Sequence, residues 1–180
     1  MKIYQLRRKS LESDIEIKLN FFGIGIFKIK TSIFYFDHII SQFINYSLFD
    51  CYLRCYSDLK IDNHHCIEDI SISLSLLLKK QKINRYNSYY ICMDDSFVLM
   101  SIDACNRIFY YDNFLNLDLD LQIIREFFSS FSKNYKCCFY LYYINYFNKH
   151  HLIESIFKLF GIIFNKSKNC NILQSTKGFL

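Results

Sequence analysis

The sequence predicts an α+β fold made by internal duplication, with helices on one face of a sheet in each half. Three observations carry this. The chain runs strands, helix, strand, helix, and then repeats that order. A His-His-x-x-Glu stretch, His64-His65-Cys66-Ile67-Glu68, returns 86 residues later as His150-His151-Leu152-Ile153-Glu154. Both copies open the second helix of their half. The 180 residues suit one domain, or one domain formed from two halves, and suffice to bury a sizeable core. The expected halves are 8–85 and 86–170, followed by a polar tail over 171–180.

Ile15, Ile17 and Leu19 alternate with Glu16 and Lys18, the period of a half-buried strand. Gly23 and Gly25 punctuate a turn, and Ile24 to Lys30 reads as the returning strand. Asp37 is placed to cap a helix in which Ile40, Phe43 and Ser47 share a face. Cys51, Leu53 and Cys55 alternate with Tyr52, Arg54 and Tyr56, again a strand. Asp62 or Asn63 caps the next helix, whose stripe is Ile67, Ile70, Leu74 and Leu77. Glu68 and Asp69 sit near its positive end and Lys79-Lys80 near its negative end, as the helix dipole prefers. In the second half, Phe97 to Ile102 and Arg107 to Tyr111 read as strands. Leu121 to Asn134 reads as a helix with Ile124, Phe127, Phe128 and Phe131 on its apolar side, and Lys136 to Phe147 as a long aromatic strand. Asn148 caps the last helix, striped by Ile153, Ile156 or Phe157, Phe160 and Ile163.

Composition narrows the function classes. The net charge of +5 is spread out, and its one cluster, Arg7-Arg8-Lys9, is too short to argue for nucleic acid. The 19 phenylalanines and 15 tyrosines accompany an excess of Ile, Asn and Lys, all with AT-rich codons, so aromatic richness does not argue for base stacking. The eight cysteines form no zinc pattern and read as reduced, packing thiols, which places the chain in the cytoplasm. No uncharged run reaches the roughly 18 residues of a membrane span, and the N-terminus has no apolar signal-peptide core.

The histidines carry the chemistry. Four of the five lie in the two doublets, and the fifth, His38, follows Asp37. Imidazole and carboxylate together suit borderline divalent ions. A surface helix that happens to carry a His pair explains one copy, not two. On a helix, residues i and i+4 share a face and neighbours diverge by about 100°. His64 and Glu68 therefore look one way and His65 another, so the two imidazoles of one doublet do not grip one ion together. Two metal sites follow, each fed by both halves.

The chain resembles the imidazoleglycerol-phosphate dehydratase family. The likeness runs from about Arg8 to the C-terminus. Its motifs are Phe36-Asp37-His38, the Ser57 to His65 stretch, Lys82-Ile83-Asn84-Arg85, Met93-Asp94-Asp95, Glu126-Phe127-Phe128, Asn148 to Lys158 and Ser175-Thr176-Lys177-Gly178. The resemblance implies a duplicated half with a four-stranded, mostly antiparallel sheet and two helices. It also implies a homo-oligomer of 24 subunits, with two manganese ions per subunit and other divalent metals as possible substitutes. The reaction it implies converts imidazole glycerol phosphate, a small phosphorylated substrate, to imidazole acetol phosphate in histidine biosynthesis. The implied metal ligands are His38, His64, His65, Glu68, Glu126, His150, His151 and Glu154. Glu126 stands at the start of its helix where the family has a His. The implied substrate contacts are Glu12, Gln42, Arg85, Arg107, Lys158, Ser175 and Lys177. Glu12, His38, His65, Glu68, His151 and Glu154 form the implied catalytic set.

In the implied chemistry the substrate imidazole loses a proton, ring electron density helps expel hydroxide from the adjacent carbon, and Glu12 shuttles a proton to complete an enol that ketonises. Divalent metals serve as Lewis acids and as a template. Arg85, Arg107 and Lys177 suit the phosphate. Without the resemblance, Glu12 reads as a solvated strand-edge acid and the three cations as surface charge. Besides Glu126, three departures stand out. Tyr46 and Tyr140 replace family histidines, and the family's Ser-Gly-Arg-Pro turn is Cys105-Asn106-Arg107-Ile108, where Asn can take the left-handed conformation that Gly favours.

The alternative is a non-catalytic, metal-binding oligomeric remnant of that enzyme, opposed by the retained Glu12, Arg85, Arg107 and Lys177. A nucleic-acid binder is opposed by the scattered cations, and no membrane or nucleic-acid partner is expected. A ferritin-like di-metal protein would want Glu-x-x-His on long helices, the reverse order.

Overall fold

A computed structural model describes residues 2–57, 64–115 and 118–168. The expected caps Asp62 and Asn63, the tail 171–180, and the candidates Ser175 and Lys177 lie outside the described residues. The first unit comprises β1 (Tyr4–Lys9), β2 (Ser13–Asn20), β3 (Phe27–Lys30), α1 (Phe34–Ser47), β4 (Asp50–Ser57) and α2 (His64–Leu78). The second repeats the order as β5 (Tyr86–Met93), β6 (Ser96–Asp103), β7 (Phe109–Asp112), α3 (Leu119–Tyr135), β8 (Cys138–Asn145) and α4 (Lys149–Lys166). The sheets run β1-β2-β4-β3 and β5-β6-β8-β7, and in each only the last pair is parallel. The fold is therefore the expected α+β duplication: two mostly antiparallel four-stranded sheets, each with two helices.

Several element boundaries differ from expectation. β1 and β5 carry no clean apolar alternation and were absent from the predicted set. β1 alternates only between half-buried and exposed, and β5 buries only Asn87, because each is an edge strand. The strand expected over Ile24 to Lys30 shrinks to Phe27–Lys30 and runs parallel to β4, since Asp50 accepts the backbone N–H groups of Ile24 and Ile26 and holds that segment in a loop. Arg107 and Ile108 lie before β7, and β8 is shorter at both ends than Lys136 to Phe147. Asp37 is not the cap of α1. The helix starts three residues earlier, and the Asp37 carboxylate accepts from the backbone N–H and hydroxyl of Thr31 at 2.8 and 2.5 Å. Asn148 caps α4 as expected, its side-chain oxygen accepting the N–H of His150.

Each helix rests on its own sheet and on a helix of the other half: α1 on α4, and α2 on α3. The two helix layers thus face each other across the middle, with one sheet outside each. Phenylalanine fills much of the seam. Phe43 of α1 stacks on Phe160 of α4 with ring centroids 4.7 Å apart, and Phe127 and Phe128 of α3 meet Phe157 of α4. At Gly161 the backbones of α1 and α4 come too close for a side chain. A Cβ there would lie 2.5 Å from the Phe43 carbonyl oxygen and 2.9 Å from the Ser47 nitrogen. In the other pair, the buried Ser71 hydroxyl donates to the Phe127 carbonyl at 2.6 Å. These crossings bring residues of opposite halves within reach of one another.

Candidate functional site

The α1–α4 crossing places His38 beside the second doublet. The His38 and His150 rings stack with centroids 5.7 Å apart, and His150 lies 3.4 Å from Glu154 one turn on. One donor atom each from His38, His150 and Glu154 falls within 4.8 Å of the others, a spacing that one cation can span. Burial would raise the Glu154 carboxyl, but Lys158 at 2.9 Å, with His38 and His150, holds it below the usual range. Gln42 lies one turn beyond His38 on the same face of α1. Tyr35 lies against the His150 ring at 5.9 Å, and burial pushes its hydroxyl up to about 12.

The α2–α3 crossing brings a second imidazole and carboxylate together from opposite halves. His64 Nδ1 lies 2.5 Å from Glu126 Oε2, and a cleft of about 310 Å³ is lined by His64, Glu68, Glu126, Arg125, Ser129, Ser130 and Lys133. Glu126 is not at the start of its helix. It lies mid-helix, because α3 begins at Leu119 and runs to Tyr135. Nor does it pair with Arg125, which clasps Asp112 and the Phe114 carbonyl instead. His38 and Glu126 hold corresponding places: each precedes two fully buried apolar residues, Ile39-Ile40 and Phe127-Phe128.

The second imidazole of each doublet turns elsewhere. His65 Nδ1 lies 3.4 Å from Glu12 on the β1–β2 turn, with both side chains half exposed. His151 donates from Nδ1 to Asp95 at 2.5 Å, with Asp94 3.9 Å from Nε2. Asp95 also accepts the backbone N–H groups of Phe147 and Asn148 at the start of α4. Its carboxyl is driven far down by the imidazole and these amides, and the His151 pKa is raised by the same contact. Such a carboxylate orients a histidine and leaves Nε2 for a ligand. Asp95 was missed as a functional candidate, and the acidic pair Asp94-Asp95 at the β5–β6 turn was its one sequence signal.

Arg85 and Arg107 converge on one carboxylate. Arg85 Nε lies 2.9 Å from Asp103, and Arg107 reaches the same group at 3.8 Å. Arg85 is largely covered, whereas Arg107 stands out into solvent. Asn106 takes the left-handed conformation at φ 61°, so the turn before Arg107 forms without glycine. Lys158 lies against Met93 and beneath the Tyr46 ring, next to Glu154 rather than near the arginines. Tyr140 lies among Phe109 and Tyr111 on the outer face of the second sheet.

The imidazole and carboxylate donors of the two crossings fit divalent ions of the manganese-to-zinc series, and no thiol stands among them. A family model described as imidazoleglycerol-phosphate dehydratase matches residues 31–164. A protein of Caldanaerobacter subterraneus subsp. tengcongensis carrying that name is 34% identical, over 100% of each chain. One from Campylobacter concisus is 33% identical, over 99% of this chain and 98% of that protein. Among solved structures, IGPD from Pyrococcus furiosus, in complex with (S)-C348, superposes with a TM-score of 0.85 at 27% identity, covering 97% of this chain and 100% of that one. The dehydratase from Staphylococcus aureus gives 0.78 at 25% identity, covering 93% and 98%.

Proposed function

The chain belongs to the imidazoleglycerol-phosphate dehydratase family, and on that premise we propose how its residues divide the work. The activity is that of a hydro-lyase of histidine biosynthesis acting on a small phosphorylated imidazole, and the family is metal-dependent. Nothing favours the non-catalytic alternative.

The proposed cofactor is two manganese ions per chain. His38, His150 and Glu154 would hold one, and His64, Glu68 and Glu126 the other. The observation that carries this is the meeting of donors from opposite halves at two helix crossings. Bound there, the ions supply Lewis acidity toward the substrate imidazole. Glu12, beside His65 and open to solvent, is the group able to carry a proton to and from the reacting carbon. Arg107 and Arg85 bind the phosphate, Arg107 as the exposed contact and Arg85 as its covered neighbour, with Ser175 and Lys177 of the tail as further contacts. Gln42 and Lys158 position substrate and the Glu154 carboxylate.

His65 and His151 complete the ligand set from a second copy, since among the described residues they pair with Glu12 and with Asp95 instead of joining the two donor groups above. The reading as a homo-oligomer rests on this and on exposed Phe34, Leu119 and Phe147 near the starts of α1, α3 and α4, and the number of 24 subunits on the family resemblance alone. Residues 8–85 and 86–170 are taken as the duplicated halves of one domain. No described helix is long and apolar enough to cross a membrane. A cytoplasmic setting is supported by the biosynthetic role and by seven free described cysteines.

The test is turnover of imidazole glycerol phosphate after chelation and after manganese is restored. Activity should vanish and return together with two ions per chain. Full turnover without metal would refute the ligand scheme, and no turnover with both ions bound would favour the remnant.

A further inference from the structure

Outside the histidine sites, one cluster combines soft donors with a carboxylate. Cys105 Sγ and Cys138 Sγ lie 3.7 Å apart, and both lie with an Asp103 carboxylate oxygen inside a 4.8 Å group. The fold builds this arrangement. Asp103, the last residue of β6, is the antiparallel partner of Cys138 at the start of β8. Cys105 N–H then donates to the Asp103 carbonyl at 2.9 Å, and left-handed Asn106 turns the chain so that Cys105 stays over Cys138. We propose that Asp103, Cys105 and Cys138 form a binding site for one thiophilic divalent cation, of the zinc or cadmium type, separate from the imidazole sites.

Zinc–sulfur bonds of about 2.3 Å at a tetrahedral angle put two sulfurs roughly 3.8 Å apart, so the pair is spaced for one ion without chain movement. A disulfide needs about 2.05 Å between sulfurs, well under the 3.7 Å here, and both cysteines are free. Three protein donors leave one position for solvent. Asp103 also binds Arg85, but an ionised carboxylate has about four lone-pair sites and retains some for a cation. Arg107 Nε donates to Cys105 Sγ at 3.5 Å. Cys138 is pushed up, first by burial and then by Cys105, so the ion displaces a proton from it on binding. Manganese, a harder ion, prefers the imidazole and carboxylate sets, so the two classes of site sort metals by donor type.

The test is to load the reduced protein with manganese, titrate it with cadmium, and follow ultraviolet sulfur-to-cadmium charge transfer together with cadmium bound per chain. Imidazole and carboxylate sites give no such band. The expected result is a band saturating at one cadmium per chain. Cys105→Ser and Cys138→Ser should each weaken binding at least tenfold, while Asp103→Asn keeps the band with lower affinity and Cys92→Ser changes nothing. Circular dichroism checks that each variant is folded. Absence of the band in the parent protein overturns the proposal. So does a band unchanged in both serine variants, which would assign it to other cysteines such as the buried Cys55 and Cys66. Air-dependent loss of two thiols, with no cadmium uptake by the reduced protein, would make the pair a disulfide former instead.

Discussion

Single residues carry three expectations. Glu126 occupies the place that corresponds to His38 and reaches His64 across the α2–α3 crossing. As a proposed ligand, Glu126 puts carboxylate in place of imidazole and adds negative charge. Glu126→Ala should therefore lower the affinity for one of two manganese ions at least tenfold and spare the other, while Glu126→His keeps both; calorimetric manganese titration reads this. Arg107→Ala should raise KM ten- to a hundredfold with metal content unchanged, since hydrogen bonds to charged groups contribute about 1.5–3 kcal/mol. Metal loss in that variant would give Arg107 a structural role. Asp50 answers to pH. The amide of Ile24 above all, then Ile26 and Asn20, outweigh burial and hold its carboxyl below the usual range. A folded value below the unfolded one stabilises the fold above the unfolded pKa, and that contribution disappears as pH falls through the folded value. The stability gap between the parent and Asp50→Asn should be full at neutral pH and shrink below about pH 4. Urea midpoints across that range measure it, and a gap that widens in acid contradicts the sign.

Among elements, the α1–α4 crossing brings together the donors of one proposed metal set. His38 and the His150–Glu154 pair belong to helices of opposite halves, and Gly161 sets how closely those helices approach. A methyl group there meets backbone rather than a flexible side chain. Gly161→Ala should cost about 1–3 kcal/mol of stability by overpacking. It should also weaken the ion held by His38, His150 and Glu154 more than the ion at the α2–α3 crossing. Denaturant unfolding combined with manganese titration tests both, and equal weakening of the two ions would show that the crossing is not the determinant. Element order and helix stripes could be read from the sequence because apolar periodicity is local. β1 and β5 could not, because an edge strand half open to solvent has no strong alternation.

For the whole molecule, the proposed scheme, in which His65 and His151 act on a second copy, makes the assembled state a condition of activity. Dilution or interface substitutions that give folded monomers should abolish turnover and leave each chain with ions bound weakly. Sedimentation paired with the turnover assay reads this, and a fully active monomer would contradict it. Phe34→Asp, at a residue exposed in the single chain, is a suitable interface change.

The donor chemistry was present along the chain. Two His-His-x-x-Glu copies call for two metal sites whatever the fold, and helical geometry already separates the imidazoles within each doublet. Asn106, standing where the family has Gly, likewise marked a left-handed turn. Pairing across the chain was decided by tertiary structure. That His38 meets His150, that Glu126 lies mid-helix against His64, that Asp95 orients His151, and that Cys105 lies over Cys138 all depend on contacts between residues 33 to 112 positions apart. Spacing in sequence carries no information about which helix crosses which. The packing of phenylalanines and one glycine between two sheets does.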